Sequence, residues 1–292
     1  MSSLTALMLH IGDILTGNDS QENYEIKSKI GEGGFGTDFL ITRVSDNRDY
    51  IAREPKGLDK TLIKALNYEF TVLDNLQKKN IPSVARTIEM TEYQNQMGNI
   101  VPIFILEKAA GESLDELMQN GPIAESDCLD IITKIAESLT GIHGAGCIHR
   151  DISPDNVFVE DLGGRNEVTI IGFELAVLMP EHDTSVFTDL IAGRVFFSPP
   201  EQLDTARGAQ VSIANDIFST GATAIALLCG ESNFAQYRGK VPPAPYDIHN
   251  EIPAIDQHFR DVIYKSTWKD PAGRFATMED MANALRGGKV VL

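Results

Sequence analysis

Two short stretches gather residue types that could handle a phosphate or a proton. Gly31, Gly33 and Gly36 stand as Gly-x-Gly-x-x-Gly. Glycines at this spacing let backbone amides approach a phosphate with no Cβ in the way. Rossmann folds use the same spacing at the start of a helix. Here the run is followed by another strand-like segment, Phe39–Val44, so the glycines belong to a β-hairpin. The second stretch, His149-Arg150-Asp151-Ile-Ser153-Pro154-Asp155-Asn156, packs an imidazole, a guanidinium, two carboxylates and a carboxamide into one loop-sized segment.

The elements around these stretches can be read from periodicity and turn signals. Tyr24–Ile30, Phe39–Val44 and Tyr50–Arg53 read as strands, with Asp46-Asn47 as a turn. Leu62, Leu66, Phe70, Leu73 and Leu76 mark a helix over 62–79, and Ile88–Tyr93 and Ile100–Glu107 are further strands. After Gly111 the pattern turns helical. Ser113-Leu-Asp-Glu116 is a capping box, and Leu129 to Ile142 form a strongly apolar helix. Short strands follow at Val157–Val159 and Val168–Ile171, then a very apolar helix over Ile213–Cys229 and a last helix from about Met278 to Leu285. Near the N-terminus Leu4, Leu7, Met8, Ile11, Ile14 and Leu15 fall at helical spacing, which predicts a short helix or lead-in packed on the first strands.

The composition is that of an ordinary globular protein of 292 residues, 42% hydrophobic and 23% charged. A formal net charge of −17 argues against bare nucleic acid and anionic membranes as partners. Cys128, Cys147 and Cys229 are far apart and odd in number, which suits free thiols in a reducing cytoplasm. No apolar run reaches the roughly 18 residues expected of a membrane helix, and no basic segment of a signal peptide opens the chain.

His149-Arg150-Asp151 with Asn156 five residues after the aspartate resembles the catalytic loop of eukaryotic-type protein kinases. Three further features stand in that family's order. Ser198-Pro199-Pro200-Glu201 resembles the A-P-E end of the activation segment, Asn215-Asp216 the start of the buried central helix, and Lys269-Asp270-Pro271-x-x-Arg274 the stretch whose arginine pairs with the A-P-E glutamate. The wording of the glycine and catalytic loops resembles bacterial members. The resemblance implies an α+β bilobal fold: a lead-in over 1–23, a β-rich N-lobe with one main helix over 24–107, a larger, mostly helical C-lobe over 108–286, and a tail over 287–292. It implies Asp151 as acceptor of the substrate hydroxyl proton and Asn156 as a metal ligand. Nucleotide contacts would come from Gly31, Gly33, Gly36, the strand-three cation, Glu69 of the helix, and a hinge at Glu107–Ala110 that includes Ala109. His149, Arg150, Phe173, Glu201, Asp216 and Arg274 would be structural.

Three positions depart from the family pattern. Gly172-Phe173-Glu174 stands where D-F-G is expected, so Gly172 replaces the metal-binding aspartate. Asp38 stands where an apolar residue caps the adenine; it would face the base and the phosphates unless it turns outward or bonds a nearby amide. The strand-three lysine is replaced by Arg53 or by Glu54, depending on register, and Arg53 could pair with Glu69 where Glu54 would repel it. The resulting expectation is a catalytically impaired pseudokinase that needs no cofactor and acts by binding another protein. The alternative is a weak or atypical serine/threonine kinase using ATP with Mg²⁺ or Mn²⁺, with Thr184, Ser185 or Thr188 open to phosphorylation.

Overall fold

The computed structural model describes residues 9–95, 97–161, 165–179, 196–203, 211–234 and 254–292. Thr184, Ser185 and Thr188 lie outside them. The chain divides into two compact units: residues 1–78 with 85–109, and residues 79–84 with 110–292. The division therefore falls two residues beyond the 107/108 boundary read from sequence, and the segment after the first helix belongs with the second unit.

The first unit is a six-stranded antiparallel sheet in the order β1-β2-β3-β4-β6-β5. Its strands are β1 (Ile14–Thr16), β2 (Asn23–Glu32), β3 (Gly36–Arg43), β4 (Asp49–Pro55), β5 (Thr87–Gln94) and β6 (Ile100–Glu107), with α1 (Lys60–Lys78) between β4 and β5. The two-residue period of a strand sorts side chains onto two faces. Tyr24, Ile26, Phe39, Ile41, Tyr50, Ala52, Val101, Ile103 and Ile105 share one face with Leu9 and Leu15 of the lead-in. Phe104 belongs to the opposite face, where Phe70 of α1 packs edge-on against it at 5.2 Å.

Of the short helix or lead-in read over Leu4 to Leu15, the described part is a packed lead-in and not a helix. From Leu9 onward the chain turns at Gly12, with φ near +91°, and then pairs as β1 along β2. Ile11 and Ile14 are exposed while Leu9 and Leu15 are buried, so the helical spacing of these residues was coincidental.

The second unit contains α2 (Leu114–Gln119), α3 (Glu125–Gly144), α4 (Pro200–Leu203), α5 (Ile213–Phe234), α6 (Gln257–Ser266) and α7 (Met278–Leu285). The small strands β7 (Glu112–Ser113), β9 (Val157–Asp161) and β10 (Asn166–Ile170) form one sheet, and β8 (Cys147–Ile148) pairs with β11 (Val177–Leu178). The Ser113/Glu116 capping box forms in both directions at the start of α2. Helix α3 packs against α5, α7 and β10. Contrary to the composition-based expectation, Ile213–Glu231 is long and apolar enough for a membrane span; 94% of its apolar window is buried within the protein, which accounts for its apolarity as core packing.

Candidate functional site

In the first unit, the glycine run is the tip of the β2–β3 hairpin. Gly31 pairs with Asp38 and Glu32 with Thr37, and the Gly33 N–H donates to the Gly36 carbonyl at 2.8 Å. Gly36 has a local packing reason to be glycine: a Cβ there would meet the Glu54 carbonyl oxygen at 2.8 Å.

Asp38 lies directly across β3–β4 from Arg53. The Arg53 guanidinium grips it with two bonds, Nε to Oδ1 at 2.6 Å and Nη2 to Oδ2 at 2.8 Å, and reaches Glu69 of α1 through Nη1 at 2.5 Å. Glu69 is almost fully buried, with a side chain 1% exposed. Arg53, and not Glu54, faces Glu69. Strand parity is the reason: Glu54 belongs with Tyr50 and Ala52 on the opposite face. Asp38 neither turns outward nor bonds an amide, because the charge opposite it captures it. The complementary charges of Asp38 and Arg53 were visible in the sequence, but which residue faced which depended on the register.

Glu54 is buried, and Oε2 accepts the Leu9 N–H at 2.9 Å. Burial pushes its carboxyl up from the ordinary 4.5 to about 7, partly offset by the Leu9 bond. The folded protein therefore holds this proton at pH values where the unfolded chain has lost it. Stability from this group is greatest below pH 4.5 and falls as pH rises towards 7, by on the order of 3 kcal/mol. Chemical denaturation of Glu54→Gln should show this decline flattened between pH 5 and 7. An unchanged pH profile would contradict the assignment.

Glu107 closes β6, with its N–H committed to the Arg86 carbonyl at 2.9 Å, and Ala109 is the last residue of the unit.

In the second unit, the loop 149–156 is held from below by Asp216 in the first turn of α5. One carboxylate oxygen accepts the Arg150 N–H at 2.7 Å, and the other accepts the His149 N–H at 2.9 Å and meets His143 Nε2 at 2.7 Å. Burial alone would raise the Asp216 carboxyl, but His143, His149 and the backbone bond hold it below its ordinary value. These bonds support Arg150 in the left-handed region (φ 70°), an uncommon place for a non-glycine residue. The Arg150 carbonyl in turn accepts from Gln202 at 2.9 Å, which sequence reasoning did not single out.

His149 is fully buried, and its ring packs edge-on against Phe173 at 4.5 Å. Nε2 faces the Ile171 carbonyl at 2.9 Å, which can only accept, so Nε2 carries the hydrogen. Nδ1 then accepts the Asp151 N–H at 3.2 Å. Burial lowers the His149 pKa, consistent with this neutral form. The imidazole positions loop and strand, with its one N–H committed to the Ile171 carbonyl.

Asn156 Nδ2 donates to the Asp151 carbonyl at 2.8 Å and to Asp151 Oδ2 at 2.9 Å. Gly172 follows β10 with φ +77°, and a Cβ at that position would sit 2.6 Å from Asn156 Oδ1. The Asn156 carboxamide thus fills the space a side chain at 172 would enter.

The predicted pair between Glu201 and Arg274, which follows the turn Pro271–Gly273, is present. Arg274 Nη1 and Nη2 meet Glu201 at 2.6 and 2.9 Å, its Nε donates to the Trp268 carbonyl at 2.8 Å, and its guanidinium lies over the Phe218 ring at 4.8 Å.

The family described as "Protein kinase domain" matches residues 24–284, nearly the whole of this architecture. The chain belongs to the protein kinase family. Among its relatives are the probable serine/threonine-protein kinase PknB of Lactococcus lactis, 27% identical over 94% of this chain and 42% of the relative, and the serine/threonine-protein kinase PrkC of Bacillus subtilis, 26% identical over 92% of this chain and 41% of the relative. A probable serine/threonine-protein kinase of Corynebacterium efficiens is 27% identical over 89% of the chain and 40% of the relative. The chain spans about four-tenths of the length of these relatives.

Members of this family use Mg²⁺ to bridge and neutralise the nucleotide phosphates. Such an ion needs several oxygen ligands in near-octahedral geometry. Asn156 offers one carboxamide oxygen, and Gly172 offers no side-chain donor. Among the described residues no group of three or more His, Cys, Asp or Glu side chains is placed to hold a metal. The donors around Asn156 do not fit a metal shared with position 172.

Proposed function

We propose that this kinase domain is catalytically impaired and acts as a pseudokinase, regulating another protein by binding it. The observation that carries this reading is Gly172 beside Asn156: the position that would supply a second metal ligand has no side chain, and the Asn156 amide fills its space. Loss of one metal ligand should lower the rate roughly a thousandfold or more, since positioned charge supplies much of the stabilisation in phosphoryl transfer. The net charge of −17 favours a protein partner over nucleic acid or an anionic membrane. The buried Cys128, Cys147 and Cys229 support a reducing, cytoplasmic setting.

A second reading, an active serine/threonine kinase using ATP with Mg²⁺ or Mn²⁺, has its own support. The relatives are named serine/threonine-protein kinases, and Asp151 and Asn156 are both retained, one hydrogen bond apart. On that reading Asp151 accepts the hydroxyl proton.

Thermal melting with increasing ATP, with and without Mg²⁺ or Mn²⁺, separates the two. A ligand at a hundred times its Kd adds about 2.7 kcal/mol of stability. The impaired reading predicts no metal-dependent rise in melting temperature at millimolar ATP. A clear metal-dependent rise would favour the active enzyme.

A further inference from the structure

We infer that Asp38 is a built-in competitor for phosphate: its carboxylate occupies the anion-binding edge of Arg53 and keeps the phosphate chain of a nucleotide off the glycine hairpin. This rests on the reading that the kinase domain binds nucleotide poorly, and it names the residue responsible on the first unit.

Three adjacent strands carry the argument. Gly31, Asp38 and Arg53 stand in one cross-strand row, β2 to β3 to β4. A phosphate brought to the hairpin backbone at Gly31 therefore arrives beside Asp38, with Arg53 as the next residue across. Arginine binds phosphate and carboxylate with the same planar fork, two parallel N–H···O bonds at a time. Asp38 already makes that pair, through Nε and Nη2, at 2.6 and 2.8 Å. The third guanidinium nitrogen, Nη1, is on Glu69. The geometry Arg53 would offer a phosphate is thus filled from within the chain.

The surrounding charges point the same way. Lys56, the other cation at the hairpin tip, pairs with Glu32 at 2.9 Å, and Glu32 also takes Lys29 at 2.6 Å. Two carboxylates on one guanidinium leave the Asp38–Arg53–Glu69 group with a formal charge of −1 when all three are ionised, so a polyphosphate must displace Asp38 against net repulsion. The competition is local and reversible. The Asp38 side chain is 24% exposed, so it can swing into water, whereas Glu69 at 1% cannot. Removing the Asp38 charge should leave Arg53 held by Glu69 and turned towards the hairpin.

The experiment is thermal melting of the whole chain titrated with ATP in EDTA, so that no metal ligand enters the result. Wild type is compared with Asp38→Asn and Asp38→Ser, each first checked for cooperative unfolding without ligand; two variants guard against one that folds badly. Expected is an ATP response at a concentration at least about tenfold lower in the variants, as when a competing closed state is removed. The Asp38→Asn/Arg53→Met double variant should lose that gain. Folded Asp38 variants that respond like wild type would overturn the inference while leaving the impaired-kinase reading intact. A gain that persists without Arg53 would also overturn it, since Asp38 would then act by general repulsion. Wild type that already responds at micromolar ATP would overturn the impaired-nucleotide reading itself, and with it the need for a competitor.

Discussion

Replacing Arg274 with methionine should destabilise the kinase domain by about 3–5 kcal/mol, the cost of stranding one partner of a buried ion pair. The Arg274 side chain is 0% exposed and its partner Glu201 only 11% exposed, so water cannot take over the lost bonds. The change would leave the Glu201 carboxylate without its fork and remove the donors serving the carbonyls of Trp268 and Ala214. It would also remove the cation stacked on Phe218. The pair ties the segment after residue 198 to the turn at Pro271–Gly273, two regions far apart in the chain, so the loss should appear as one cooperative drop in denaturant midpoint. The double variant Glu201→Met/Arg274→Met should recover part of the loss, because no buried charge is then left alone. A single Arg274→Met variant within about 1 kcal/mol of wild type, the range of an exposed pair, would contradict this account.

Asp216→Ala should be comparably severe, about 3–5 kcal/mol, because each buried donor left unmet costs roughly 1–3 kcal/mol. Three donors depend on this carboxylate: the backbone N–H groups of His149 and Arg150, and His143 Nε2. The left-handed backbone at Arg150 is maintained against its own preference by that anchoring. Asp216→Asn keeps one acceptor oxygen and should lose less. Hydrogen exchange gives the more specific readout. The amides of His149 and Arg150 should lose protection in Asp216→Asn by more than the amides of α5. Equal loss throughout would mean that Asp216 stabilises the helix in general and does not anchor the loop.

Much of this architecture was legible because its signals are local. The glycine run sits between two alternating strands, the capping box at Ser113 forms as written, and the helix over Met278–Leu285 ends where its apolar residues end. The Glu201–Arg274 pair was readable only through family resemblance, since nothing in 73 residues of separation brings the two together by periodicity. At the lead-in the helical alternative failed for a physical reason, while Leu9 and Leu15 do pack on the sheet. The segment's apolar residues satisfy a 3.6-residue spacing, but the turn at Gly12 and the backbone bonds to β2 make Ile14–Thr16 an edge strand. The strands of two residues, β7, β8 and β11, are too short to carry any period. The Asp38–Arg53–Glu69 group was half legible: its members were named, but the choice between Arg53 and Glu54 needed the strand register, because shifting a strand by one residue exchanges its faces. Gln202 on the Arg150 carbonyl carried no signal at all.

The most direct test of impaired catalysis is transfer of radiolabelled phosphate from ATP, to the chain itself and to a generic basic protein substrate, at millimolar Mg²⁺ and then Mn²⁺. Asp151→Asn serves as the control that removes the proton acceptor. The account predicts that wild type and Asp151→Asn incorporate label at the same background rate with either metal. Incorporation by wild type that Asp151→Asn abolishes would contradict it and establish the chain as a working kinase despite Gly172.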